Sequence, residues 1–111
     1  MADSGILDTL REGILVADGA MGTMLESAGL KPGMCPELWN VENADAVTGV
    51  HRGYADAGAD VVLSNTFGAS RPKLERYDLG ERVAEINAAA VALVRSIGGP
   101  FVAASVGPSG K

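Results

Sequence analysis

The chain has 111 residues, enough for one small domain, since domains usually have roughly 100–150 residues. Hydrophobic residues make up 47% of the sequence, which is sufficient for a buried core and excludes a disordered tail. The formal net charge of −5 and the aromatic content of 5% argue against nucleic-acid binding, because phosphates attract basic surfaces and bases stack on aromatic side chains.

The sequence also carries information on the cellular compartment. It contains no apolar run near the roughly 20 residues needed to cross a bilayer. Residues 1–5 lack the positive and apolar segments of a secretory signal. The single cysteine, Cys35, has no partner for an internal disulfide, which is typical of a reducing compartment. We therefore expect a cytoplasmic protein that binds neither membrane nor nucleic acid.

The predicted elements alternate between short apolar runs and amphipathic stretches. A short helix opens the chain, and the apolar run 14–17 then predicts a buried strand that ends at Asp18. Residues 20–27 are expected to form two helical turns that end at Gly29. Prolines and turn-forming residues within 30–43 predict a loop.

Two longer helices follow, each leading into a strand. The apolar residues of 44–57 recur at three- and four-residue spacing, which places them on one helical face, and Asn43 is the expected N-cap. Residues 60–65 then predict a second buried strand. The same pattern returns with a helix over 81–97 and a third strand over 101–106.

The order strand, helix, strand, helix, strand predicts an α/β fold with a parallel sheet and right-handed crossovers. Such a unit begins either a barrel or a doubly wound sheet, and periodicity does not choose between them. In both folds ligands bind at the carboxyl ends of the strands. These ends, at 18–20, 65–68 and 105–107, are small or polar and form the predicted site. Strand-to-helix turns also favour such residues for structural reasons alone.

Short motifs along the chain resemble the homocysteine S-methyltransferase family in order and in spacing. They lie at 18–23 (DGAMGT), 36–40 (PELWN), 51–54 with 57–60 (HRGY and AGAD), 65–70 (NTFGAS), 85–87 (EIN) and 106–110 (VGPSG). The resemblance covers residues 13–111 and implies the first three β/α units of a TIM (β/α)8 barrel. Residues 1–111 would then be a partial homocysteine-binding domain that lacks the later barrel strands.

The resemblance implies methyl transfer to the thiol of homocysteine, which yields methionine. A thiol with a pKa of about 8.5 is mostly protonated at neutral pH, and a zinc ion makes the thiolate available. Family zinc ligands are cysteines on later strands, and Cys35 does not match one, so we assign no metal ligand and no catalytic residue to this chain. Family members take the methyl group from S-methylmethionine, from betaine, or from methyltetrahydrofolate through cobalamin on other domains. The residues that decide the donor lie outside this segment, so the sequence does not identify it.

Seven residues are predicted to line the homocysteine pocket, namely Asp18, Gly19, Ala20, Asn65, Thr66, Phe67 and Ser105. By resemblance, the Asp18 carboxylate helps to hold the amino and carboxylate end of homocysteine. Its two successors line the same pocket through their backbone. Thr66 offers a hydroxyl and Phe67 an apolar wall. Asn65 and Ser105 are added from strand-end geometry.

Other interpretations of the sequence remain open. His51 lies one position off the apolar stripe of its helix, so a solvent-facing or helix-packing histidine is favoured over a base or ligand. Cys35 is interpreted as an unreactive loop thiol. Residues 107–111 resemble the end of a phosphate-binding loop, but Ser105 stands where that motif requires glycine, which disfavours a nucleotide-binding protein.

A second hypothesis comes from a different functional class, a non-catalytic small-molecule binding module or vestigial fragment. Three strands alone leave two open sheet edges and uncovered apolar surface. We therefore expect the isolated chain to be inactive and to pair with the remaining barrel segment or to associate with itself.

Overall fold

A computed structural model of the chain describes residues 5–110. The elements in this range are, in chain order, α1 (Ile6–Glu12), α2 (Gly22–Ser27), a 3-10 helix (Pro36–Leu38), α3 (Trp39–Glu42), α4 (Ala44–Asp56), β1 (Val61–Leu63), α5 (Arg71–Glu75), a second 3-10 helix (Gly80–Arg82), α6 (Val83–Arg95) and β2 (Phe101–Ala103). None of the helices within this range is long and apolar enough to cross a membrane.

The two strands form a parallel pair. Val61 lies opposite Phe101 and Leu63 opposite Ala103, with α5 and α6 in the connection between the strands. Strand β1 lies between β2 and the segment at Ala17, which meets it through one bridge. The side chain of Val62 is fully buried, as expected for an apolar strand of a parallel sheet. The predicted α/β organisation with parallel strands is therefore confirmed.

The predicted strand over 14–17 is shorter than expected. It meets β1 through a single parallel bridge between Ala17 and Val61, extended by the Asp18 N–H, which donates to the Val61 carbonyl at 2.9 Å. On its other side no described strand pairs with it, and the side chain of Ile14 is 89% exposed. An apolar run forms a full strand only when neighbours satisfy its backbone groups, and here one neighbour supplies only a few bonds.

Two apolar clusters hold the helices together. The first cluster joins α2, α3 and α4 and consists of Leu25, Leu30, Trp39, Val47 and Val50. The second cluster joins the loop before α3 to α5 and α6 and consists of Cys35, Ala69, Leu74 and Ile86. Full burial of a large aliphatic side chain stabilises a fold by about 1.5–3 kcal/mol, so these clusters fix the helices that carry the strand-end turns.

The prediction of a loop over 30–43 was wrong for its second half. Pro36 begins a 3-10 helix, where a missing N–H has no cost, and α3 follows directly. Burial of Trp39 and Asn40 stabilises these turns. The short helix α5 was not predicted either, and it carries its proline within the first turn.

At α4 the structure corrects one prediction and decides between two alternatives that the sequence left open. The helix begins after Asn43 as expected, but the Asn43 side chain makes no capping hydrogen bond. His51 is fully buried, so the solvent-facing alternative was wrong and the residue packs inside the fold. The prediction that Gly29 ends α2 is confirmed, since Gly29 adopts φ +112° just beyond the helix.

Candidate functional site

A cleft of about 490 Å³ opens at the carboxyl ends of the strands. Six of the seven predicted site residues line it, namely Asp18, Gly19, Asn65, Thr66, Phe67 and Ser105. They come from three separate turns that the parallel sheet brings to one edge. Ala20 does not line the cleft, because its carbonyl faces α4 and accepts a hydrogen bond from the Tyr54 hydroxyl at 2.6 Å.

The half-buried Asp18 carboxylate lies between the first turn and β1. Its Oδ2 atom accepts a hydrogen bond from the Leu63 N–H at 3.2 Å. Burial raises the pKa of Asp18, and the bond from Leu63 opposes that shift. Among the described residues that line the cleft there is no lysine, arginine or histidine. An ammonium group would therefore meet acceptors in this cleft without a competing cation.

Thr66 joins the ends of the two strands. Its hydroxyl donates to the Ser105 carbonyl at 2.8 Å and lies 2.8 Å from the Ser64 hydroxyl, which must therefore act as the donor in that second bond. The Thr66 hydrogen is thus already used within the protein. The hydroxyl retains accepting capacity toward a ligand, and its bonds hold the floor of the cleft in place.

Asn65 lines the cleft, but its side-chain amide already donates its hydrogen bonds within the protein. The Nδ2 group donates to the Pro36 carbonyl at 3.0 Å and to Asn40 Oδ1 at 2.9 Å. Asn40 Nδ2 donates back to the Asn65 carbonyl at 2.9 Å. The Asn65 side chain is therefore placed to attach the loop before α3 to the strand end, and it has no N–H left for a ligand.

Phe67 forms an outer wall of the cleft, and 60% of the residue is exposed. The turn after β2 packs closely against it at Gly107. A Cβ atom on Gly107 would lie 2.5 Å from the Phe67 carbonyl oxygen and 3.0 Å from its ring carbons. Only glycine permits this approach of the two strand-end turns.

Two residues near the cleft received no role from the sequence. Glu37 lies in the motif at 36–40, lines the cleft, and accepts a hydrogen bond from the Gly68 N–H at 3.0 Å. Tyr54 packs its ring on Gly19, where a Cβ atom would lie 3.0 Å from the hydroxyl oxygen. Both belong to motifs noted in the sequence, but their contacts depend on segments that are distant along the chain.

The described residues do not fit a zinc ion. Within residues 5–110 there is no group of three or more histidine, cysteine or acidic residues that could hold a metal. Cys35 is 5% exposed, and burial raises the pKa of its thiol, which opposes formation of the thiolate that binds metals. The last residue of the alternative phosphate-loop motif, Lys111, lies outside the described residues.

Comparison with known proteins decides the family. A sequence profile described as Homocysteine S-methyltransferase matches residues 15–111. The chain belongs to the homocysteine S-methyltransferase family. The resemblance predicted from the sequence motifs is thereby confirmed.

Relatives of this family member include a methionine synthase and an S-methylmethionine–homocysteine S-methyltransferase. The chain is 36% identical to the methionine synthase of Mycobacterium tuberculosis over 98% of its own length and 10% of that protein. It is 33% identical to the S-methylmethionine–homocysteine S-methyltransferase of Pongo abelii over 88% of its own length and 26% of that protein. The chain thus spans a tenth to about a quarter of these two relatives.

A solved structure shares the fold. The metallated form of the homocysteine methyltransferase MmuM from Escherichia coli superposes with a TM-score of 0.75 at 28% sequence identity. The match covers 92% of this chain and 41% of that one. The arrangement of helices and parallel strands described above is therefore similar to part of a homocysteine methyltransferase.

Proposed function

We propose that this chain provides the amino-acid-binding part of a homocysteine pocket within a protein that transfers a methyl group to the homocysteine thiol. The observation that supports this most is the convergence of three strand-end turns on one acidic cleft, in a chain that belongs to this family. In this proposal the chain forms the first three β/α units of a TIM (β/α)8 barrel in a cytoplasmic enzyme.

The binding roles follow from the groups that the cleft presents. The Asp18 carboxylate accepts hydrogen bonds from the substrate ammonium, and Phe67 covers the aliphatic part of the substrate. Thr66 offers an accepting oxygen beside them. Residues 5–110 contain no group of three or more side chains that could hold a metal ion, so we propose that zinc ligation and the methyl donor belong to parts of the enzyme outside residues 1–111.

Replacement of the Asp18 carboxylate tests the binding role. We expect Asp18→Asn to weaken homocysteine binding by about 10- to 100-fold, the range for one hydrogen bond to a charged group. Titration of the ¹⁵N-labelled chain with homocysteine, in the presence of a chelator, would report affinity and the amides that shift. Asp56→Asn, an exposed aspartate outside the cleft, is the matched control. Equal affinity of the Asp18 variant and wild type would contradict the proposal.

The raised pKa of Asp18 gives this binding a pH dependence. Only the ionised carboxylate attracts the ammonium, so homocysteine affinity should fall as the pH decreases through the Asp18 pKa. The fall should begin at a higher pH than an ordinary aspartate would give. The same titration repeated between about pH 7 and 4 would measure it, and Asp18→Asn should flatten the profile.

A methyl-transfer assay tests whether the chain is only part of an enzyme. We expect the 111-residue chain with zinc and a methyl donor to show no turnover by itself, because it offers no metal ligand set among its described residues. Robust zinc-dependent turnover would contradict the proposal that the chain is only part of an enzyme.

A further inference from the structure

We propose that Glu37 is a positioning residue, whose buried carboxylate fixes the turn at Phe67 and Gly68 and thereby sets one wall of the cleft. The positioning itself follows from contacts in the protein. Its consequence for homocysteine binding rests on the proposed function.

The environment of Glu37 is unusual for a carboxylate. The residue is 8% exposed, and among residues 5–110 no ion pair involves it. Its Oε2 atom accepts the Gly68 N–H at 3.0 Å, and its Oε1 atom lies 3.5 Å from the Cys35 Sγ, which donates to it. A carboxylate removed from water requires such donors, so these two bonds hold the side chain in one place.

Gly68 packs directly on this carboxylate. A Cβ atom at that position would lie 3.2 Å from Oε2 and 3.3 Å from Oε1 of Glu37, which is tighter than ordinary contact. Glycine therefore allows the backbone of the turn to approach the carboxylate and to donate its N–H.

Phe67 depends on this bond because most of its surface is exposed and its close packing is at the turn around Gly107. The residue is 60% exposed, so its position is set mainly by the backbone on either side. On one side the Thr66 hydroxyl donates a hydrogen bond to the Ser105 carbonyl, and on the other side the Gly68 N–H donates one to the Glu37 carboxylate. Loss of the hydrogen bond between Gly68 and Glu37 would therefore allow Phe67 to move. The bond between Thr66 and Ser105 would keep the end of β1 in place.

The segment that carries Glu37 is itself anchored. Asn65 Nδ2 donates to the Pro36 carbonyl and to Asn40 Oδ1, and Asn40 donates back to the Asn65 carbonyl. The carboxylate is thus held at a defined distance from the end of β1. Glu37 acts on the cleft through the N–H of Gly68.

Amide hydrogen exchange measured by NMR tests the bond directly. In Glu37→Ala we expect the Gly68 amide to exchange at least about tenfold faster than in wild type, since the amide loses a bond to a charged acceptor. The Val62 amide in the fully buried part of β1 should keep its protection. Glu37→Gln should restore slow exchange at Gly68, because its carbonyl oxygen can accept the same bond. Glu26→Ala, on the exposed side of α2, is the control.

A second variant examines the same contact from the other side. Gly68→Ala leaves Glu37 intact but places a methyl group against its carboxylate, so the amide at position 68, which donates to Glu37, should exchange faster. This variant and Glu37→Gln keep the test valid if Glu37→Ala fails to fold. Equal Gly68 exchange in wild type and Glu37→Ala, or failure of Glu37→Gln to restore it, would overturn the positioning role.

Homocysteine titrations of the same variants connect the bond to function. We expect Glu37→Ala to weaken binding and Glu37→Gln to retain it. If the wild-type chain does not bind homocysteine but Gly68 protection depends on Glu37, the positioning role holds and the proposed function fails. If the chain binds homocysteine and Glu37→Ala binds equally well, the positioning role is contradicted while the proposed function stands.

Discussion

His51 is fully buried on α4, and neither ring nitrogen has a hydrogen-bond partner among the described residues. Burial lowers its pKa, because the charged imidazolium loses its hydration. The unfolded chain, with a histidine pKa of about 6.5, therefore binds more protons than the folded chain just below that pH. The contribution of neutral His51 to stability is present above about pH 6.5 and is lost as the pH falls toward the lowered pKa.

This linkage can be measured by urea denaturation between about pH 7.5 and 5. We expect the free energy of unfolding of the wild-type chain to decrease over this range. His51→Leu should flatten the decrease, and the assignment is direct because the chain has a single histidine. An unchanged slope in the variant would show that other groups cause the acid sensitivity.

Cys35 should be an unreactive thiol in the folded protein. Its side chain is buried, and burial is the largest cause of its raised pKa, with the nearby Glu37 carboxylate acting in the same direction. We expect iodoacetamide at pH 8 to alkylate Cys35 at least about tenfold more slowly in the folded chain than in the chain unfolded by urea, because the thiolate is the reactive form. Mass spectrometry of timed samples would measure both rates, and comparable rates would contradict the burial of Cys35.

At the scale of elements, close contact between the strand-end turns makes a specific glycine necessary. Gly107→Ala places a methyl group 2.5 Å from the Phe67 carbonyl oxygen, so a backbone segment must move. We expect a loss of about 1–3 kcal/mol in the free energy of unfolding, as for overpacked sites. Urea denaturation provides the measurement.

Gly49→Ala is the matched control for this prediction. Gly49 lies within α4, and a Cβ atom there would meet nothing within 4 Å. Alanine in a helix interior should stabilise the fold by about 0.5–1 kcal/mol. If both alanine variants change stability in the same direction, the contact between the two turns is not the cause.

At the scale of the whole molecule, several apolar side chains are left without cover. Ile14 is 89% exposed, Val106 is 85% exposed and Val16 is 56% exposed, and all three follow or precede the short parallel sheet. Exposed apolar surface beside open strand edges favours association with another surface. We expect the chain to associate with itself in a concentration-dependent manner.

Sedimentation velocity over a range of concentrations would test this expectation. Ile14→Lys should reduce association because a charge on an open edge opposes pairing with another strand. Ala92→Lys adds the same charge at an exposed position on α6 that carries no large apolar side chain, and it is the matched control. A monomeric wild-type chain at all concentrations would contradict the expectation.

The two longer helices and the parallel pairing of the strands followed from the sequence, because apolar periodicity and glycine placement are local properties of the chain. The turns at Asp18, Thr66 and Ser105 could be assigned to one edge because the carboxyl ends of parallel strands meet there. By contrast, the loop predicted before Asn43 contains α3, since burial of Trp39 against other helices outweighed the proline signal.

The partners of each side chain were decided by the tertiary structure alone. Nothing local to Asn65 shows that Asn40 and the Pro36 carbonyl occupy its amide. Likewise, the bond from Gly68 to Glu37 joins residues that are 31 positions apart. Hydrogen bonds of this kind depend on distances between segments that meet only after folding, so periodicity and composition carry no information about them.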